Sequence, residues 1–322
     1  ALPIYGNYDF TTVYNPYDYQ NVYGQGSNGT FSTSAKGSWG PKMEGQMVDH
    51  WRSTIYGDAD YDKVALLPQQ NYIKEFYGTG TQVSNTLTAS AGSEHLTGRL
   101  SFTDSRNDGI TPNHSIDRQY YDLNTEFKNR WLTVGAKINF MREKRKNSPA
   151  QGEYGLMTQM IYLPRGIRMA DLRDNLVNAN YRVINWSGPS DLYSNPYGII
   201  MDENGNKNVR NRLIGQLRAS IRFTDYLTLT GRVGMDYYTN NYKKSTLYLP
   251  DGSNITGQYS TSRNSNQEFN ADAILNFNKS FEDFSVTANL GTSIYNATWE
   301  GLSANAGAFE IPGWIDRKST RL

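Results

Sequence analysis

The chain contains no cysteine. Disulfide staples, thiolate metal sites and a cysteine nucleophile are therefore excluded. Its three histidines, His50, His95 and His114, are far apart and lack metal-ligand spacing. Long apolar runs are missing too. Mean hydropathy is −0.67, and no stretch approaches the ~18 residues of a membrane-crossing helix. Neither sign of charge is in excess: 32 Lys and Arg face 31 Asp and Glu, a formal net charge of +1. Nothing here marks a nucleic-acid footprint. The opening residues, Ala1 to Tyr5, show no basic stretch followed by an apolar one, so no secretory signal is visible.

Aromatic residues are what the chain has in abundance: 13% of 322 residues, led by 24 Tyr. Barrels collect Tyr, Trp and Phe in girdles at both membrane interfaces, and carbohydrate-contacting surfaces are aromatic as well. The length suits one large or two modest domains.

The strongest pattern is a period of two. From Trp131 to Met141, Leu132, Val134, Ala136, Ile138 and Phe140 alternate with Thr133, Gly135, Lys137 and Asn139. A strand places successive side chains on opposite faces, so this segment has one apolar and one polar face. The alternation predicts strands at Thr81–Ser90, His95–Asp104, Arg118–Phe127, Trp131–Met141, Leu213–Phe223, Leu227–Tyr237, Phe269–Phe277 and Phe284–Ile294. Their lengths are close to the ~9–11 residues a tilted strand needs to cross a bilayer. Isoleucines 214 and 274 interrupt the polar face. Asn7–Tyr14 reads as a further strand, Tyr23–Gly45 as loop, and Asn71–Tyr77 and Met169–Val177 as short helices.

Connections between the strands alternate short and long. Four-residue Ala91–Glu94, Lys128–Arg130, Thr224–Tyr226 and Asn278–Asp283 are turns; Ser105–Asp117, Arg142–Arg210 and Asn240–Ser265 are long. Short turns on one side and long loops on the other are expected of an outer-membrane barrel. The fold class predicted is all-β: an antiparallel transmembrane β-barrel segment, about eight to nine strands of a larger barrel, with long extracellular loops. A soluble sandwich also alternates, but its loops are usually short on both sides.

Motifs for chemistry are weak. Gly24-x-Gly26-x-x-Gly29 matches a dinucleotide fingerprint as a string, but Phe31-Ser32-Thr33-Ser34 follows where a helix is required. Asp58, Asp60 and Asp62, and likewise Asp202, Asn204 and Asn206, resemble the start of a calcium loop. Lys63 or Lys207 stands where its glycine belongs, and no Glu closes either loop. No nucleophile elbow is present. The chain is therefore read as no enzyme, with no cofactor and no metal. The polar face is more informative: Arg212, Arg218, Arg222, Arg232, Asp236 and Tyr238 share it, as in a barrel lumen that lines a substrate path.

Particular phrases then carry a resemblance. Tyr23-Gly24-Gln25-Gly26-Ser27-Asn28-Gly29 and Ser38-Trp39-Gly40-Pro41-Lys42-Met43-Glu44-Gly45-Gln46 are similar to the early barrel region of SusC-like TonB-dependent transporters. Asn71–Gly80, Arg99–Thr103 followed by Gly109–Asn113, and Ile311-Pro312-Gly313-Trp314 resemble further phrases of that family. The resemblance covers essentially residues 1–315. It implies a barrel of ~22 strands with a plugged lumen, in the outer membrane of a Gram-negative bacterium, importing oligosaccharides or peptides. The implied partners are a SusD-like surface lipoprotein, the TonB complex and outer-membrane lipid; no nucleic acid is implied.

On this reading, residues 1–80 are early barrel and loop following a plug that lies before residue 1, residues 81–315 are hairpins, and residues 316–322 are a non-native tail. So few strands cannot close the barrel, and the chain alone is expected to transport nothing. Candidate ligand contacts are the loop aromatics Trp39 and Trp186, for stacking on sugar rings, and the lumen residues Arg218, Asp236 and Tyr238. The alternative is an outer-membrane or surface β-rich binding or adhesion protein without transport.

Overall fold

The computed structural model describes residues 20–174, 176–189, 193–250, 256–307 and 309. The predicted strand Asn7–Tyr14, the phrase Ile311–Trp314 and the tail 316–322 lie outside the described residues. The chain packs as two compact units.

The first unit takes in the described residues of Ala1–Gly78, Pro149–Met201 and Tyr248–Thr256. Strands β1 (Gly26–Ser27) and β2 (Thr30–Phe31) form a minimal hairpin. Its two loop residues, Asn28 and Gly29, have φ of 52° and 75°, the left-handed pair that an Asn-Gly turn supplies. Strand β3 (Met47–Asp49) pairs antiparallel with β4 (Lys63–Ala65), and helix α1 (Trp51–Tyr56) lies between them in sequence. Helix α2 (Tyr72–Phe76) forms where the sequence predicted one.

The long stretch after Arg142 shows no period-two pattern, yet it is not structureless. It contains α3 (Leu156–Tyr162), α4 (Met169–Arg173) and α5 (Pro196–Ile200). Leu156, Met160, Leu172, Ile184 and Trp186 from this stretch close on Trp51, Tyr72 and Phe76 in one hydrophobic core. Helices of five to seven residues expose one or two turns of pattern, too little to register as helical period.

A buried polar network ties this core together. His50 caps α1: its Nδ1 accepts from the Arg52 backbone N–H at 3.1 Å. The Nε2–H is therefore left to donate to Asp171 Oδ2 at 3.0 Å. Arg168 adds two hydrogen bonds to the same carboxylate, at 2.7 and 2.8 Å. Burial pushes the Asp171 carboxyl upward, but the hydrogen bonds from His50 and Arg168 outweigh it and hold it below the ordinary carboxylate range. A depressed folded value stabilises above the unfolded value of ~3.9, and that contribution fades as pH falls through the folded value. Thermal melts of the wild type and Asp171→Asn should thus differ most near neutral pH, and the gap should shrink below about pH 4. A gap independent of pH would remove the charged carboxylate from this account.

The second unit takes in the described residues of Thr79–Ser148, Asp202–Leu247 and Gly257–Leu322. Eight strands form one antiparallel sheet in sequence order: β5 (Thr81–Gly92), β6 (Leu96–Asp108), β7 (Ser115–Lys128), β8 (Leu132–Lys146), β9 (Asn206–Thr224), β10 (Leu227–Thr246), β11 (Gln258–Ser280) and β12 (Ser285–Gly307). No pairing joins β5 to β12 among the described residues. Each predicted strand is present, and most run further than predicted on the side of the long loops. The strand foreseen as Phe284–Ile294, for example, extends to Gly307. Most of the added residues are polar on both faces; the extension of β12 is the exception, with Tyr295, Trp299 and Leu302. A hydrogen-bonded ladder does not need apolar alternation to continue, so this part leaves little trace in a hydropathy pattern.

Register sorts the side chains into two faces. On one face Leu132, Ile221, Leu229, Leu275 and Leu290 stand side by side across β8–β12. Eight residues along β8, about 26 Å at ~3.3 Å per residue, lies the row Leu87, Phe102, Tyr121, Phe140, Leu213 and Tyr237 across β5–β10. Rings of Phe102 and Tyr121 approach to 4.9 Å between centroids. At the short-turn end, Trp131, Phe223, Tyr226, Phe281 and Phe284 are exposed. The apolar band is thus bordered by aromatics at both ends.

No layer covers this face. Leu100 is 55% exposed and Leu217 57%. Among the described residues, Phe309 is the one buried hydrophobic residue that the sheet unit contributes. A soluble sandwich would bury its apolar face against a second sheet, so the sandwich reading does not describe this unit. The observed fold is an antiparallel all-β sheet of barrel-segment type, with no helix long and apolar enough to cross a membrane.

Candidate functional site on the polar face of the sheet

Opposite the apolar band, the sheet carries a wall of charged and amide side chains. Arg212, Arg218 and Arg222 of β9 share it with Arg232, Asp236 and Tyr238 of β10, as the alternation predicts. Ile214 also lies here, opposite Asn139 and Asp236, and Ile274 lies opposite Thr230.

Most charges on this wall are paired. Arg212 Nε donates to Asp236 Oδ1 at 2.9 Å, and its terminal nitrogen binds the other carboxylate oxygen. Arg232 Nε lies 2.9 and 3.1 Å from the two oxygens of Asp272. Glu143 is held by Arg118 at 2.6 Å and Arg145 at 2.7 Å. Burial pushes the Glu143 carboxyl up, but the two guanidiniums hold it below the ordinary range. Asn139 donates to Asp122, and Asn266 to Glu268 at 3.1 Å. The Arg210 guanidinium sits 4.7 Å from the centroid of the Tyr238 ring, a cation–π contact that fixes the ring.

Arg218 differs. It stands directly opposite Arg232 in register, is exposed, and makes no ion pair or side-chain hydrogen bond among the described residues. Arg232 is neutralised by Asp272, so Arg218 remains a cation available to an anionic group on a solute. Asp236 is engaged by Arg212 and is not available in the same sense. Tyr238 keeps its hydroxyl on the wall while its ring packs under Arg210.

The two loop aromatics part company. Trp39 is 76% exposed and offers a ring face. Trp186 is fully buried, edge-on to Tyr193 at 5.8 Å, with the Lys36 ammonium 5.8 Å from its ring centroid. A ring enclosed on all sides cannot stack on a sugar, so Trp186 is a core residue in this structure. Sequence reading missed Glu143 with Arg118 and Arg145, and Asp272. Glu143 falls past Met141, where apolar alternation ends and the segment Arg142-Glu143-Lys144-Arg145 reads as a charged loop. The two acidic loop runs are engaged locally: Asp58 with Arg52 at 3.3 Å and Asp202 with Lys146 at 3.0 Å.

No protein-family model matches the chain, and no curated protein matches it. Solved structures do. The RagAB peptide importer in its 'closed-closed' state superposes with a TM-score of 0.61, the same importer in its 'open-open' state with 0.61, and the RagAB peptide transporter with 0.58. Each is 16% identical and is matched over 78% of this chain and 28% of its own. The chain therefore spans under a third of the length of these structures, and what it shares with them is the fold over the matched part.

Proposed function

We propose that the chain is part of a nutrient importer of the Gram-negative outer membrane, of the SusC-like TonB-dependent type that its sequence phrases resemble. One observation carries this reading. An eight-stranded antiparallel sheet leaves an aromatic-bordered apolar face uncovered and sets a charged wall on the other side. Such a sheet belongs between lipid and an aqueous passage. Strands and long connections of this part would contribute wall and loops; the TonB-driven rearrangement and a SusD-like lipoprotein lid belong to the whole assembly.

The solute would be an oligosaccharide or a peptide. The solved structures of similar fold are those of a peptide importer. The free cation Arg218 also suits a carboxylate-bearing peptide better than a neutral glycan.

The absence of cysteine makes a direct test available. Single cysteines at Leu217 and Gln216, adjacent residues on opposite faces, are introduced into the full-length gene product and probed in outer membranes with a membrane-impermeant maleimide. Gln216→Cys should label readily, and Leu217→Cys only after detergent. Equal labelling of both in intact membranes would overturn the placement. If placement holds but cells take up neither labelled peptide nor labelled oligosaccharide in a TonB-dependent way, a binding or adhesion role replaces transport.

A further inference from the structure

Beyond the aromatic row that crosses β8 at Phe140, the apolar face changes character. The next three positions of β8 on that face are Arg142, Lys144 and Lys146. Their register neighbours on β9 and β10 are Asn211 and Thr239, then Val209 and Asn241, then Lys207 and Lys243. Lys146, Lys207 and Lys243 thus stand side by side on three adjacent strands. Adjacent strands are ~4.8 Å apart, and like charges directly opposite repel. Asp202 compensates Lys146 at 3.0 Å. Arg142, Lys144, Lys207 and Lys243 are exposed and have no ion pair or side-chain hydrogen bond among the described residues, though Lys207 lies within the field of Asp202. None of the outward positions of β8–β10 in these rows is acidic.

The zone continues onto β11 and is bounded by mixed charges on β6 and β7. Arg263 of β11, exposed, is the register neighbour of Asn241. On β6 and β7, Asp104, Arg106, Asp117 and Gln119 line a recess of about 220 Å³ with Arg142 and Lys144, and Asp117 stands directly between Arg106 and Lys144 in register. Asp104 is taken up by Arg106 at 3.2 Å and by Gln119 at 3.3 Å.

We propose that this basic zone docks the phosphate groups of membrane lipid headgroups, such as those of a phosphorylated glycolipid, lying against the apolar band. The inference rests on the membrane placement above. Three features select this occupant. The cations share the face of the apolar band rather than the polar wall. They begin one step past the aromatic row, the level at which headgroups meet a spanning protein. Neighbouring strands hold them close enough for one phosphate to be shared by two ammonium groups, which relieves their mutual repulsion.

The test compares the full-length protein with its quadruple variant Arg142→Gln/Lys144→Gln/Lys207→Gln/Lys243→Gln. Both are reconstituted into phosphatidylcholine vesicles, with and without a bis-phosphorylated glycolipid. The glycolipid should raise the Tm of the wild type and remain bound through detergent extraction. The variant should lose the Tm rise and retain at least about tenfold less glycolipid. The charge-keeping variant Lys144→Arg/Lys207→Arg/Lys243→Arg should behave like the wild type, which separates charge from folding. Equal glycolipid retention by wild type and quadruple variant, with both inserted, overturns the docking zone and leaves the membrane placement standing. An equal Tm rise from inorganic phosphate alone overturns the lipid as source. Restoration of the Tm rise by a soluble acidic polypeptide but not by glycolipid assigns the zone to a protein partner instead. Failure of both proteins to insert defeats the membrane placement and this inference together.

Discussion

Leu217→Arg should destabilise the protein in a bilayer by about 2–4 kcal/mol, the cost of a cation on the lipid-facing side of a barrel near the midplane. Leu217 occupies the third of five rows between Leu132 and Phe140, flanked in register by Ala136 and Val233. No site in the band is further from the two aromatic borders. The same change at Gln216, on the polar face, should stay within about 0.5 kcal/mol. Urea titration of both variants in lipid vesicles reads the difference. The contrast has a sharp edge because Leu217 is 57% exposed. In a water-soluble protein, replacing such a leucine by arginine is nearly neutral or improves solubility. A cost below about 0.5 kcal/mol at Leu217 would therefore mean that lipid does not touch this face.

The second large effect belongs to the helical unit. Trp186→Ala should cost about 3–5 kcal/mol through lost burial and the cavity left behind. Trp186 has no exposed surface and belongs to the same core as Trp51, Leu172 and Ile184. Neighbouring Asn185 receives the Tyr56 hydroxyl on its carbonyl oxygen at 2.9 Å. Loss of the indole should therefore loosen the contact between residues 51–56 and the 149–201 stretch, both part of one unit. Limited proteolysis should show new cleavage within 149–201 in the variant, while the far-UV signature of the long strands persists. Protection equal to wild type would show that the core closes over the gap.

These two sites illustrate what the sequence made legible. Leu217 announces its face because its neighbours alternate, and alternation survives wherever one side meets an apolar medium. The parts of all eight strands that carry the apolar band were therefore readable, as were the short turns between them. Trp186 announces nothing. It lies in a stretch whose helices are too short to set a period and whose core partners, such as Trp51 and Phe76, are more than a hundred residues away. An aromatic in such a segment reads as a surface contact until packing shows otherwise. The polar wall was half legible. Arg218, Asp236 and Tyr238 share a face as expected, because parity fixes that. Which carboxylate each arginine takes depends on register between strands: Arg232 faces Asp272 and Arg118 faces Glu143 directly, while Arg212 reaches Asp236 diagonally, and parity says nothing about it. Glu143 and the lysine row lay hidden in segments where both faces are polar.

Under the import role proposed above, the pairing of charges on that wall would have a consequence for the speed of passage. Arg212 with Asp236, Arg232 with Asp272, and Glu143 between Arg118 and Arg145 present dipoles rather than isolated charges. A solute moving along such a wall meets many hydrogen-bonding groups of modest strength and few deep electrostatic wells. Residence at any one point stays short, because release from each contact is repaid by the next. Arg218, Arg222 and Lys137 are exposed without such a partner among the described residues; they are the stickier steps on that gradient, and their strength sets how long an anionic solute pauses.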